Sequence, residues 1–267
     1  MIPADHFGDG LRRLAVLSES FDIRAYQGQE TKWVRTEWVV NSPFTYKGRK
    51  KGRVRGELLN GLVERRSYVE KLGEARLTRE FVRQQVLDAG TKDERLLDAF
   101  VAVMAWGFKP GSYGPYRTSV MLSPVAGAEG AGVVLRRVVK ALGEHGPIEG
   151  YLEMANKLEQ CGPAFATKFL YFASPDGKRA PILDDVAARW MERHGIRHGS
   201  GNSITSRGWN SANYGRYLQF VRAAQEALGE FDAGVVEYMM FVDQLYFEYV
   251  RAGVYLPGWI AETYRDR

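Results

Sequence analysis

From about residue 78 onward apolar side chains recur at every third or fourth position almost without interruption, which confines most of the chain to helices that bury one face. Thr78 is placed to cap a helix over REFVRQQVLDA that stops at Gly90, and a second helix begins near Asp93 and runs to Gly107. A Gly/Tyr/Pro-rich turn, KPGSYGPYR, precedes a short helix over Thr118–Leu122. Helical periodicity then continues through GAGVVLRRVVKALGE, IEGYLEMANKLEQ, TKFLYFAS, DDVAARWMERHG, NYGRYLQFVRAAQEALG and AGVVEYMMFVDQLYFEYVRAG. In the last of these VVEYMMFVDQLYFEYV is a core stripe, with Asp243 and Glu248 on its polar face. Strand signals are confined to the first sixty residues, where RTEWVVN and its neighbours are β-branched and aromatic. The expected fold is mainly α: a helical core over residues 78–267 and a short irregular or β-containing extension over 1–77.

Several classes are excluded by composition. With 45% hydrophobic residues over 267 positions the chain can bury a core and is too apolar to be disordered. One cysteine rules out an internal disulfide framework and a Cys-rich zinc site, and it fits a reducing, cytoplasmic compartment. The start, MIPADHFGDGLRRL, lacks the apolar run of a secretory signal, and the longest apolar stretch, Ala99–Phe108, is about half a membrane span. His6, His145, His194 and His198 have no ligand spacing with Cys161, and Gly195 interrupts the helix that would align His194 with His198. No metal and no cofactor is expected.

The net charge of +5 is concentrated. In KGRKKGRVR six of nine residues, Lys47, Arg49, Lys50, Lys51, Arg53 and Arg55, are basic, and two glycines discourage a helix. Such an arm suits either a polyanion or a solvated loop.

The segment Ile148–Ser174 reads as two helices joined by a tight CGPAFA turn. Gly162 and Pro163 fit the exit from the first helix, and Ala164 and Ala166 let the turn come close to an outside group. The first amides of the second helix would face an anion; an ordinary packed αα-hairpin is the alternative. Sixteen residues beyond Lys168, Asp184 stands where PILDDVAARW begins a helix, and Asp184 and Asp185 together offer more than the one carboxylate a cap needs.

The run L-x-x-C-G-P-A-F-A-T-K followed by P-I-L-D-x-x-x-x-R, over Leu158–Arg189, resembles the helix-hairpin-helix DNA glycosylase superfamily, and within it the 8-oxoguanine glycosylase branch. The resemblance implies a glycosylase-like helical bundle with its helix-hairpin-helix at 148–174 and its aspartate helix start at 181–191. By matching position, Lys168 corresponds to the family's nucleophilic lysine, Asp184 to its catalytic aspartate and Arg189 to a basic residue often found five positions later. Two departures stand out. Ala164-Phe165-Ala166 replaces Gly-hydrophobic-Gly, and the lysine-to-aspartate spacing is short. The small N-terminal region resembles that of compact bacterial members, some of which remove hypermodified cytosine in phage defence.

The chemistry needs such residues. Breaking an N-glycosidic bond develops positive charge on the sugar, which a rigid carboxylate such as Asp184 stabilises. An amine attacking C1′, here Lys168, must be neutral, and a position at a helix start favours that form. Base flipping requires a wedge, and WGFKPGSYGPYRT offers Tyr113, Tyr116 and Arg117 on a fixed loop, with Lys109 for phosphate. Gly162, Ala164, Ala166 and Thr167 would contact the DNA backbone together with Arg49, Lys50, Lys51 and Arg53. Trp106, Trp209, Tyr214 and Asp185 are candidates for the base pocket, with core packing as the other reading of Trp209 and Tyr214. The expected function is excision of a modified base from double-stranded DNA by a monomer, either hypermodified cytosine in anti-phage defence or 8-oxoguanine in repair. A non-catalytic DNA-binding hairpin module is the alternative from another class.

Overall fold

A computed structural model describes the chain except residues 1–6, 24–25, 27–32, 49–52, 74, 109, 124, 126–127, 155–156, 176–179, 197–208, 230, 259 and 261–267. The described residues form a mainly helical protein in which the only sheet is a two-stranded hairpin near the N-terminus. The chain divides into two compact units, Gln29–Ala173 and a discontinuous one made of Met1–Gly28 with Ser174–Arg267. These units are drawn differently from the expected division at 77/78, because the first residues pack with the last third of the chain.

The unit Gln29–Ala173 holds α2 (Arg35–Trp38), β1 (Phe44–Thr45), β2 (Leu58–Leu59), α3 (Arg66–Leu72), α4 (Arg79–Ala89), α5 (Asp93–Gly107), α6 (Tyr113–Leu122), α7 (Ala131–His145), α8 (Pro147–Met154) and α9 (Pro163–Ala173). Its centre is α5, buried from Ala99 through Trp106 and packed against α3, α4, α6, α7 and α9. A helix apolar all round is stable only inside such a ring. Thr78 caps α4 by accepting the Phe81 amide at 3.1 Å, and Gly90 ends it at φ +56°, as the sequence predicts. β1 and β2 are antiparallel, pairing Phe44 with Leu59 and Thr45 with Leu58.

The other unit holds α1 (Gly8–Ser18), α10 (Asp185–Arg193), α11 (Ser211–Leu228) and α12 (Ala233–Ala252). Each of the last three starts on a side-chain cap: Asp184, Asn210 and Asp232. α1 and α10 pack on α12, and α11 packs on α1 and α12.

Four expectations change. RTEWVVN is not a strand: Arg35–Trp38 makes one helical turn that buries Trp38 beside Phe108, and tertiary packing overrides the β-branched composition. The helix expected from Thr118 starts at Tyr113, since Pro115 falls in the first turn, where its missing N–H costs nothing. The first hairpin helix ends at Met154 rather than Gln160, and Gln160 adopts φ +62°. Asp243 is not on a polar face but buried, with Arg13, Trp190 and Arg193 all donating to it.

Candidate functional site

Within Gln29–Ala173, α8 and α9 pack against each other, and Gln160, Cys161 and Gly162 lead into α9. Pro163 opens α9, and the amides of Phe165 and Ala166 both donate to the Gly162 carbonyl at 3.0 Å. Ala164-Phe165-Ala166 is therefore the first turn of a helix and not a loop. A Cβ at Gly162 would meet nothing closer than the Arg117 guanidinium at 3.9 Å, so the backbone there is open to an approaching group.

The turn is braced from two sides. Arg117 of α6 donates to the Gln160 carbonyl from Nε at 2.9 Å and from the terminal nitrogen at 2.6 Å, and lies 4.4 Å above the Phe165 ring. Phe165 in turn stacks on Phe108 with 4.5 Å between ring centroids. On the other side Glu159 accepts from the Tyr46 hydroxyl and pairs with Arg53 Nε at 3.0 Å. Burial and the Glu159 carboxylate push the Tyr46 phenol up to about 12.

Lys168 lies on the second turn of α9 and is 7% exposed. It is thus past the first turn, where the macrodipole field expected to act on it is felt. Its side chain crosses the end of α5 so closely that a Cβ on Gly107 would lie 2.7 Å from Lys168 Cδ. Nζ is 6.0 Å from the Phe165 ring centroid.

Asp184 belongs to the other unit. It caps α10, and its Oδ1 accepts the amides of Val186 at 3.0 Å and Ala187 at 3.1 Å. The preceding Pro181, Ile182 and Leu183 are buried, and two tyrosines of α11 hold them: Tyr214 donates to the Pro181 carbonyl at 3.3 Å and Tyr217 to the Ile182 carbonyl at 2.8 Å. Ser174 Oγ accepts the Ala180 amide at 2.9 Å, closing the loop before them. Farther along α10, Arg189 makes a two-pronged pair with Glu248 at 2.6 and 3.2 Å. Burial opposes charge on Glu248, but hydrogen bonds from Arg189 and Gln244 outweigh it and hold the carboxyl below its ordinary range.

The other expected contacts are redistributed. Ala166 and Thr167 face inward, and the Thr167 hydroxyl donates to the Pro163 carbonyl at 2.9 Å, so neither is presented to a phosphate. Gly162 and Ala164 are half-buried at the open end of the helix. Arg53, at 3% exposure, is an interior residue and not a cation facing solvent. Tyr116 packs on Phe44, its hydroxyl accepting the Lys47 amide at 3.1 Å, and Arg117 is committed to the turn; only Tyr113, 58% exposed, retains the form of a wedge. Trp106 is a core residue of α5, edge-on to Phe172 at 5.1 Å, rather than part of a loop. Trp209 and Tyr214 are buried, and Asp185 is the first residue of α10. Lys109, Arg49, Lys50 and Lys51 lie outside the described residues. Sequence reasoning missed Glu159, Gly107, Tyr217 and Ser174. Of these only Tyr217 carried a signal, its place three residues beyond Tyr214 on one helix face.

Cys161 sits in the turn fully enclosed, and burial pushes its thiol up to about 12 against the pull of Arg117. No group of three or more metal-ligating side chains occurs among the described residues, and no helix there is long and apolar enough to cross a membrane.

Fold and geometry together define a mainly helical protein in which α8 and α9 form a packed helix pair. Residues 37–241 match the family described as "Putative 8-oxoguanine DNA glycosylase OGG-like protein", and the chain belongs to that family. No curated protein and no solved structure matches the chain.

Proposed function

We propose that this protein is a DNA glycosylase that binds double-stranded DNA, flips out a modified base and cleaves its N-glycosidic bond. The observation that carries this reading is a braced helix-hairpin-helix turn with Lys168 in its second helix and a helix-capping Asp184 following, both inside the matched span. Gly162 and Ala164 are the turn residues open to a backbone phosphate, and Tyr113 is the exposed aromatic that fills the gap left by the flipped base. As the bond to the base lengthens, the Asp184 carboxylate stabilises the cationic sugar; its fixed placement means little reorganisation at the moment of reaction. The Lys168 amine attacks C1′ and the base departs with the bonding pair and takes up a proton; the amine nitrogen then loses a proton, the C1′–O4′ bond opens with O4′ taking up a proton, and the iminium so formed permits strand cleavage by β-elimination. The protein acts as a cytoplasmic monomer. The family favours 8-oxoguanine as the base; hypermodified cytosine of phage DNA is the competing substrate.

Asp184→Asn isolates the chemistry because asparagine caps a helix as well as aspartate does. It is expected to retain duplex binding and to lose base release by a factor of at least about a hundred. Wild-type excision by this variant overturns the assignment. Borohydride is expected to trap an adduct with wild-type protein and none with Lys168→Gln; excision without trapping replaces the amine by water. A panel of duplexes carrying 8-oxoguanine, glucosylated hydroxymethylcytosine or no modification, assayed for abasic sites, decides between repair and defence.

A further inference from the structure

The β1–β2 hairpin is tied to the helix-hairpin-helix turn more firmly than a surface arm requires. Glu159 of the turn gives both its oxygens to the hairpin, one to the Tyr46 hydroxyl and one to Arg53 Nε. Arg53 also donates to the Ser123 carbonyl at 2.7 Å and lies over the Tyr46 ring, with Glu57 3.7 Å away. The hairpin is seated on α6 as well: Tyr46 and Leu59 pack with Val120, Ser119 donates to the Leu59 carbonyl at 3.1 Å, and the Gly61 amide donates to Ser123 Oγ at 3.1 Å. That same helix carries Arg117, which holds the Gln160 carbonyl. One helix and one carboxylate thus fix both the turn and the hairpin within a single compact unit.

The charges are sorted to match. The inward Arg53 is met by carboxylates, whereas Lys47 and Arg55 are exposed and neither has a carboxylate within ion-pair distance among the described residues. A ligand with a repeating negative charge can engage these cations together with the open start of α9, which belongs to the same compact unit.

We propose that this hairpin is a second grip on the DNA backbone, and that the Tyr46–Glu159–Arg53 clasp is the positioning device that sets it to bind the same duplex as the helix-hairpin-helix turn. The inference rests on the glycosylase reading for its choice of DNA. The clasp holds Tyr46 and Arg53, next to Lys47 and near Arg55, so these two cations add phosphate contacts at a lower ordering cost than on a loose segment.

The test is the salt dependence of binding to an undamaged duplex, which involves no chemistry. Each phosphate contact contributes about 0.9 to the slope of log affinity against log salt, so Lys47→Ala/Arg55→Ala is expected to lower the slope by about 2. Glu159→Gln is expected to lower it by a similar amount, and combining all three changes should add nothing, the non-additivity that marks a shared contact. If Glu159→Gln fails to fold, Arg53→Met/Glu159→Gln removes both charges and leaves none buried alone. An unchanged slope in Lys47→Ala/Arg55→Ala or in the clasp variant overturns the proposal while base excision stands. Absence of salt-dependent binding in the wild type overturns the DNA reading itself.

Discussion

Gly107 shows how one missing carbon leaves room for the Lys168 side chain. It ends α5, where any residue could continue a helix, yet a methyl there would enter the space of Lys168 Cδ at 2.7 Å. Gly107→Ala is therefore expected to displace the amine. A displacement of this order slows base release by about ten- to a hundredfold, while thermal stability stays the same or rises because alanine is the better helix former. Single-turnover excision and a melting curve on one preparation check both halves. Cys161 gives a second expectation. With its thiol pushed up to about 12, roughly one molecule in ten thousand carries a thiolate at pH 8, so iodoacetamide should label it in urea and not in the native protein. Thiol labelling followed by mass spectrometry reads this out.

At the scale of elements, α10 is positioned at several points along its length. Tyr214 and Tyr217 hold the carbonyls before Asp184, two amides hold its carboxylate, and Arg189, Trp190 and Arg193 tie the rest of the helix to α12. Tyr217→Phe leaves the buried Ile182 carbonyl without its donor, which is expected to cost about 1–3 kcal/mol and to slow excision without weakening duplex binding. Denaturant unfolding and a binding isotherm separate the two effects. Much of this architecture was legible. Local signals fixed α4, with Thr78 before it and Gly90 after it, and placed Asp184 at a helix start, because capping depends only on neighbours in the chain. What was not legible depends on partners far away in sequence. Nothing around Arg53 distinguishes it from its basic neighbours until Glu159, more than a hundred residues on, meets it in the interior. Asp243 likewise reads as one polar residue on an amphipathic helix, and its burial is explained by Arg13, Trp190 and Arg193, all distant in sequence. The extent of α6 is hidden for a local reason: Pro115 stands in a Gly/Tyr/Pro-rich segment that reads as a turn, whereas a first-turn proline is compatible with a helix.

Across the whole molecule, the unit that contains Asp184 is held by a charge centre. Burial disfavours ionised Asp243, but the neighbouring His194, 3.9 Å away, the hydrogen bonds from Arg13 and the charges of Arg193 and Arg13 outweigh it and hold the carboxyl far below its ordinary range. A carboxyl depressed in the folded state stabilises it fully above its unfolded value of about 4, and that contribution is lost as pH falls toward the folded value. Asp243→Asn strands two arginines and is expected to cost about 3–5 kcal/mol at pH 7. The gap from wild type should narrow below about pH 4, as urea unfolding across that range would show.

The pairing of Arg13 with Asp243 also sets an order of events during synthesis. Gln29–Ala173 is continuous and can close as soon as it leaves the ribosome, but the helices on which α1 chiefly packs among the described residues, α11 and α12, are made much later. At about 5–20 residues per second that wait lasts roughly ten to forty-five seconds, with Leu14 and Leu17 uncovered throughout. A nascent chain stalled before α12 therefore displays α1 without the helices it packs on, a ready handle for chaperones and proteases, and the unit carrying Asp184 is completed only once α12 has been made.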